Sequence, residues 1–163
     1  MEGWWQQLNS LIYDHRNGIK VVPSQVVKDI QEVLSSISPE LEKNTVKNLK
    51  NDIWNKMVIN GWSGEYRIDS DSQITISSYL QGVGLCFQTG NAGRIYADLL
   101  KLQTLYVKGK ITAGVIIVPG LEIAKILGSN LANYDRLVRE LPLFSQVITM
   151  PIVVIGFEVE TEK

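Results

Sequence analysis

Few side chains in this sequence are of a type that does chemistry. There is one histidine, His15, and one cysteine, Cys86. Ser-His-Asp chemistry would run through His15 alone, and His15 sits in the polar run Asp14-His15-Arg16-Asn17-Gly18, which reads as a solvated turn. A nucleophilic thiol needs a basic neighbour or a helix N-terminus, and the residues around Cys86 supply neither, so Cys86 reads as a buried, inert side chain. One cysteine and one histidine also exclude an intrachain disulfide and a Cys/His zinc cluster. Carboxylates that could hold a hard divalent cation include Glu65, Asp69 and Asp71. The composition of Asp69-Ser70-Asp71-Ser72 equally suits a solvated turn.

Two glycine-containing stretches invite comparison with phosphate cradles. Gly82-Val83-Gly84 lacks a third glycine and a helix directly after it, so it is no dinucleotide fingerprint. Thr89-Gly90-Asn91-Ala92-Gly93 precedes a helical pattern, and Arg94 opens that pattern, where free N–H groups could face a phosphate.

Charge and composition narrow the classes. Of 163 residues, 45% are hydrophobic and 20% charged, an ordinary globular balance. The net charge of −1 excludes a strongly basic coat protein and a polyanionic scaffold. Between residues 91 and 125, however, Arg94, Lys101, Lys108, Lys110 and Lys125 face only Asp98 and Glu122, the one candidate footprint for nucleic acid. The longest apolar run, Ala113–Val118, is too short to span a bilayer, and Met1–Trp5 does not resemble a signal peptide. A cytoplasmic protein without membrane contact is expected. Trp4 and Trp5 suggest a partner surface, whereas Trp54 and Trp62 suit core or interface anchors.

Periodicity supplies the elements that must position these groups. The first third reads as helical. One helix is expected over about 25–36, with Val26, Val27, Ile30, Val33 and Leu34 on one stripe. A second is expected to start at Ser38-Pro39-Glu40 and to end at Asn60-Gly61. Period-2 patterns follow: a short strand over 65–69, then strands over 73–79 and 82–88, joined by a tight Leu80-Gln81-Gly82 corner. A helix over 94–107, an apolar strand over 111–118, short helices over 122–127 and 133–141, and a strand over 153–159 complete the chain. The order predicts an α/β fold with a mixed sheet.

The string Gly82-Val-Gly-Leu-Cys-Phe-Gln-Thr-Gly-Asn91, then Arg94-Ile-Tyr-Ala-Asp-Leu-Leu-Lys101, then Gly114-Val-Ile-Ile-Val-Pro119, resembles the core of the BglII/BstYI group of type II restriction endonucleases. That resemblance runs from about Gly61 to Phe157. It implies a PD-(D/E)XK nuclease fold: one restriction-endonuclease-like domain over 1–163, with a central mixed β-sheet flanked by helices. The helical N-terminal part would occupy about 1–61 and the nuclease-like core about 62–160. It also implies double-stranded DNA as partner, a symmetric homodimer, and Mg²⁺-assisted phosphodiester hydrolysis in active members.

The family motif places an Asp on one strand and a Glu about nine residues on, then a Gln, Glu or Lys two residues later. Carried onto this chain, Gln88 matches the third position, but Cys86 stands for the Glu and Ser77 for the Asp. A neutral hydroxyl and a soft thiol are poor Mg²⁺ ligands. The expectation is therefore a homologue with a degraded metal site, binding DNA without cutting it or serving as a structural subunit beside an active partner. Arg94, Lys101 and Lys108 are the expected backbone contacts. If the carboxylate has migrated to Asp69 or Asp71, the chain is instead an active Mg²⁺-dependent endonuclease. A protein-interaction module with no DNA role is the contrasting class.

Overall fold

A computed structural model describes residues 7–39, 41–42 and 45–159. The elements are β1 (Leu8–His15), α1 (Gly18–Val21), α2 (Ser24–Ser35), α3 (Val46–Ile59), β2 (Tyr66–Arg67), β3 (Thr75–Ile76), β4 (Ser78–Leu80), β5 (Val83–Phe87), α4 (Arg94–Val107), β6 (Ala113–Pro119), α5 (Leu121–Leu127), α6 (Tyr134–Glu140) and β7 (Ile152–Val159). A 3-10 turn, Leu141–Phe144, follows α6. The main sheet has the order β1-β7-β6-β5-β4. Its centre, β5-β6-β7, is parallel, and both outer strands run antiparallel to their neighbours. β2 and β3 form a separate two-stranded ribbon. The expected mixed sheet flanked by helices is what the chain forms. Among the described residues no helix is long and apolar enough to cross a membrane.

All seven residues of β6 are buried, as a central parallel strand covered on both faces requires. The two-residue side-chain period divides the three parallel strands between two cores. Val83, Leu85, Phe87, Val115, Ile117, Val153 and Ile155 pack with α2, α3 and α5. Cys86, Ile116, Val118, Ile152 and Val154 pack with Ile95, Leu99, Leu102 and Leu105 of α4. Two glycines let α4 come close. A Cβ on Gly84 would stand 3.0 Å from Leu102, and one on Gly114 would stand 3.3 Å from it.

Three expectations change. The N-terminal region is not wholly helical, because Leu8–His15 forms edge strand β1, paired along its length with β7. Its sequence, Leu-Asn-Ser-Leu-Ile-Tyr-Asp-His, has no strict alternation, and Leu11 and Ile12 are exposed. Backbone pairing with a distant strand decides its state, and local pattern does not register that. The second helix begins at Val46 rather than at Ser38-Pro39, which lie in irregular chain; Glu40 falls outside the described residues. Trp4 and Trp5 also fall outside them, whereas Trp62 is buried.

The third change concerns His15. It is buried, not solvated, and its Nε2 lies 2.7 Å from the Ile148 carbonyl. The chain turns away after it, with Arg16 and Asn17 both at positive φ. Burial holds the His15 pKa below its ordinary value, opposed by the Ile148 hydrogen bond. A lowered folded-state pKa means that the unfolded chain binds the proton more readily. The stability it contributes is present above the unfolded pKa of about 6.5 and is lost as pH falls through the folded value. His15→Leu removes the hydrogen bond and the titration together. It is expected to cost about 1–3 kcal/mol near neutral pH, through the unpaired Ile148 carbonyl. That difference from the parent is expected to shrink as pH falls below about 6. Thermal melts of both proteins across pH measure it.

Candidate functional site

The geometry begins at the β4–β5 corner. Gln81 and Gly82 both take positive φ, as a two-residue hairpin turn demands. That turn fixes the pairs Leu80 with Val83, Tyr79 with Gly84 and Ser78 with Leu85. One further step places Ser77 opposite Cys86. Ser77 Oγ accepts the Phe87 N–H at 2.9 Å, and the Ser77 backbone hydrogen-bonds toward the Cys86 thiol. Ser77 and Cys86, nine residues apart in sequence, are thereby cross-strand neighbours.

Cys86 is 2% exposed and packs into the core beneath α4. Burial pushes its thiol well above the ordinary cysteine range, and the nearby Asp98 charge adds to this. It is a neutral, inert thiol, as the sequence suggests.

Gln88 is the next residue on the Cys86 face and emerges at the end of β5. Its Nε2 donates to Asp98 Oδ2 at 2.6 Å, and its Oε1 accepts the Gly90 N–H at 2.9 Å. Both ends of the amide are therefore engaged, one by α4 and one by its own loop. Asp98 is itself buried. Burial raises its pKa, while the Gln88 hydrogen bond and the charges of Lys101, Arg94 and Lys50 pull it back down. Lys101 Nζ stands 3.9 Å from Asp98 Oδ1. A Cβ added at Gly90 would meet Gln88 Oε1 at 2.9 Å and the Arg94 side chain at 3.1 Å, so Gln88 and Arg94 flank one bare stretch of backbone.

The structure thus brings Ser77, Cys86, Gln88, Arg94 and Lys101 to one end of β5 and the first two turns of α4. It does not bring Lys108, Asp69 or Asp71 there. Lys108 lies ten residues beyond Asp98, about 15 Å along the helix axis. It pairs with Asp69 at 3.3 Å. Asp69 Oδ1 meanwhile accepts the Asp71 N–H at 2.8 Å, an Asx turn. That backbone hydrogen bond, with Lys108, holds the Asp69 carboxyl below its usual range. The Asp69 carboxylate serves the turn and the helix end.

Sequence reading missed Asp98 as a member of the site. Asp98 carried a signal: it falls on the buried α4 stripe of Ile95, Leu99, Leu102 and Leu105, where a charge requires a partner.

Mg²⁺ does not fit these groups. Where two carboxylates are expected stand a hydroxyl already accepting a backbone N–H and a buried thiol held protonated. Gln88 has no free end, and Asp98 is its partner. Among the described residues no three His, Cys, Asp or Glu side chains converge on a metal position.

Comparison with known proteins follows the same lines. No curated protein matches the sequence. The crystal structure of restriction endonuclease BglII complexed with a DNA 16-mer superposes with a TM-score of 0.85, at 13% identity, over 95% of this chain and 80% of that one. Free BglII superposes with a TM-score of 0.74, at 16% identity, over 95% of this chain and 82% of that one. The model of the restriction endonuclease BglII/BglIII family matches residues 11–157, from within β1 to within β7. The chain belongs to the BglII/BglIII restriction endonuclease family.

Proposed function

We propose that this chain is a family member that binds double-stranded DNA without cleaving it, as a single domain and as a homodimer or beside an active partner subunit. The observation that carries the reading is Ser77 beside a buried Cys86 at the two expected carboxylate positions, with Gln88 closed onto Asp98. Hydrolysis of a phosphodiester in this family rests on a divalent cation that charges and orients water. A neutral hydroxyl and a protonated thiol provide no such hold. Arg94 and Lys101 beside the same centre support retained contact with the DNA backbone.

The competing reading, an active enzyme with a displaced carboxylate, would need Asp69 or Asp71 at the centre. Asp69 is instead paired with Lys108 at the other end of α4.

Incubation of excess protein with mixed plasmid and genomic DNA, separately with Mg²⁺, Mn²⁺ and EDTA, tests the proposal. No metal-dependent fragments are expected in any tube. Discrete fragments in Mg²⁺ or Mn²⁺ that vanish in EDTA would overturn it. Light scattering on the same sample measures the oligomeric state.

A further inference from the structure

The two edges of the main sheet differ. β4 is three residues long, and the chain itself closes its outer side. The Ser63 N–H donates to the Tyr79 carbonyl at 3.3 Å, and the Tyr79 N–H donates to Ser63 Oγ at 2.9 Å. β1 is eight residues long and pairs with β7 in unbroken register, without proline or bulge. An antiparallel ladder turns the backbone groups of alternate residues away from the partner strand. The Leu8 N–H points outward, to the Ile37 carbonyl at 3.4 Å. Ser10, Ile12 and Asp14 therefore point outward too, and among the described residues their N–H and C=O groups have no backbone partner. Leu11 and Ile12 are exposed in the middle of this edge, on opposite faces of the sheet. Edges of this kind are ordinarily guarded by Lys, Pro or a bulge, and β1 carries only Asp14.

Resting on the homodimer arm of the reading above, we infer that β1 is a subunit interface, where a second copy of this chain adds its own β1 antiparallel and joins the two sheets into one. The strand is self-complementary about a two-fold axis through Ile12. In that register the outward groups of Ile12 meet those of the partner's Ile12, and Ser10 meets the partner's Asp14 on either side of the axis. Leu11 stands beside the partner's Tyr13 on the α4 face, where Tyr13 already packs, and the two Ile12 side chains meet on the α2 face. No like charges are opposed along the strands. Ser10 Oγ lies 3.2 Å from Gln31 Nε2 and accepts from it, so this side chain faces α2. A groove of about 380 Å³ between β1 and α2 is lined there by Ser10, Lys28 and Gln31. The partner's Asp14 arrives beside this groove, and Lys28 offers it the opposite charge. Because the β4 edge is closed, the pairing stops at two copies and does not propagate into a longer sheet.

Sedimentation velocity over a series of protein concentrations tests this. The parent is expected to pass from monomer to dimer as concentration rises. Ile12→Lys sets two lysines face to face at the axis and spares the β7 ladder, because the Ile12 backbone groups point outward. It is expected to weaken self-association by about 100-fold. Leu100→Lys changes an exposed apolar side chain on α4 and serves as the comparison, expected to associate as the parent does. Hydrogen exchange read by NMR gives a second measure. The Ser10, Ile12 and Asp14 amides are expected to be protected in concentrated parent protein, and to exchange freely on dilution or in Ile12→Lys. The Leu11 and Tyr13 amides, which face β7, are expected to stay protected throughout. Should Ile12→Lys fail to fold, the concentration dependence of the three outward amides in the parent decides the question.

Dimerisation of Ile12→Lys at the parent's strength overturns the inference, as do outward amides that exchange freely in the dimer; the homodimer reading then stands. Loss of association in Leu100→Lys alone moves the interface to α4 and overturns it equally. A parent protein that is monomeric at every concentration removes the homodimer reading along with it.

Discussion

Replacing Cys86 by glutamate, the residue type that the family motif places there, is expected to destabilise the protein by about 3–5 kcal/mol and not to produce cutting. The scale is that of an uncompensated charge in a protein interior. Cys86 is 2% exposed and sits among Ile95, Leu99 and Leu102, and Asp98 is the nearest anion that bears on it. A second carboxylate there faces desolvation and like-charge repulsion together, and both push it toward the protonated acid. The larger side chain must also displace packed leucines. Denaturant unfolding at neutral pH measures the loss. Cys86→Ser is expected to cost only about 1–2 kcal/mol, through a small cavity and a buried hydroxyl. A glutamate variant as stable as the parent would show that the pocket beneath α4 still admits a carboxylate, and the account of the lost metal site would fail. Placing one glutamate there is thus not expected to produce a metal site, because the position is buried and packed beneath α4.

The second large effect is expected at Leu102. Its side chain is fully buried and rests on the two places where the sheet has no Cβ, Gly84 on β5 and Gly114 on β6. Leu102→Ala is expected to cost about 2–5 kcal/mol, the range for a buried leucine whose surroundings relax only partly. Here relaxation is limited, because the glycines beneath offer no side chain to fill the space. The same change loosens the seat of α4, which carries Arg94, Asp98 and Lys101. Weaker DNA binding is therefore expected to accompany the stability loss. Leu100→Ala, two residues away and 58% exposed, is the comparison, expected within about 0.5 kcal/mol of the parent. Thermal and denaturant unfolding of the pair, with anisotropy on each, separate a seating role for Leu102 from a general effect of lost apolar area.

The candidate centre was partly legible in one dimension. The period-2 step from Cys86 to Gln88 places both on one strand face, and the glycine corner at 81–82 sets the register that brings Ser77 across. The resemblance, not the residue types, assigned Ser77 and Cys86 to the motif's carboxylate positions. Arg94 and Lys101 followed from local charge excess. The same count suggested Lys108, and charge density along a sequence does not record how far along a helix each charge falls. Lys108 lies at the far end of α4, held by Asp69.

By itself the sequence determined the parallel core strands and α4, because their patterns are dictated by burial on both faces or on one stripe. Tertiary structure alone decided three things. It made Leu8–His15 a strand, since β1 exists through backbone hydrogen bonds to β7 at the other end of the chain. It buried His15 against Ile148, a contact spanning 133 residues. And it closed Gln88 onto Asp98 of α4. Local periodicity reports which face of an element is apolar. It carries no information about which distant partner supplies a hydrogen bond or a charge, because those energies exist only once the elements are packed.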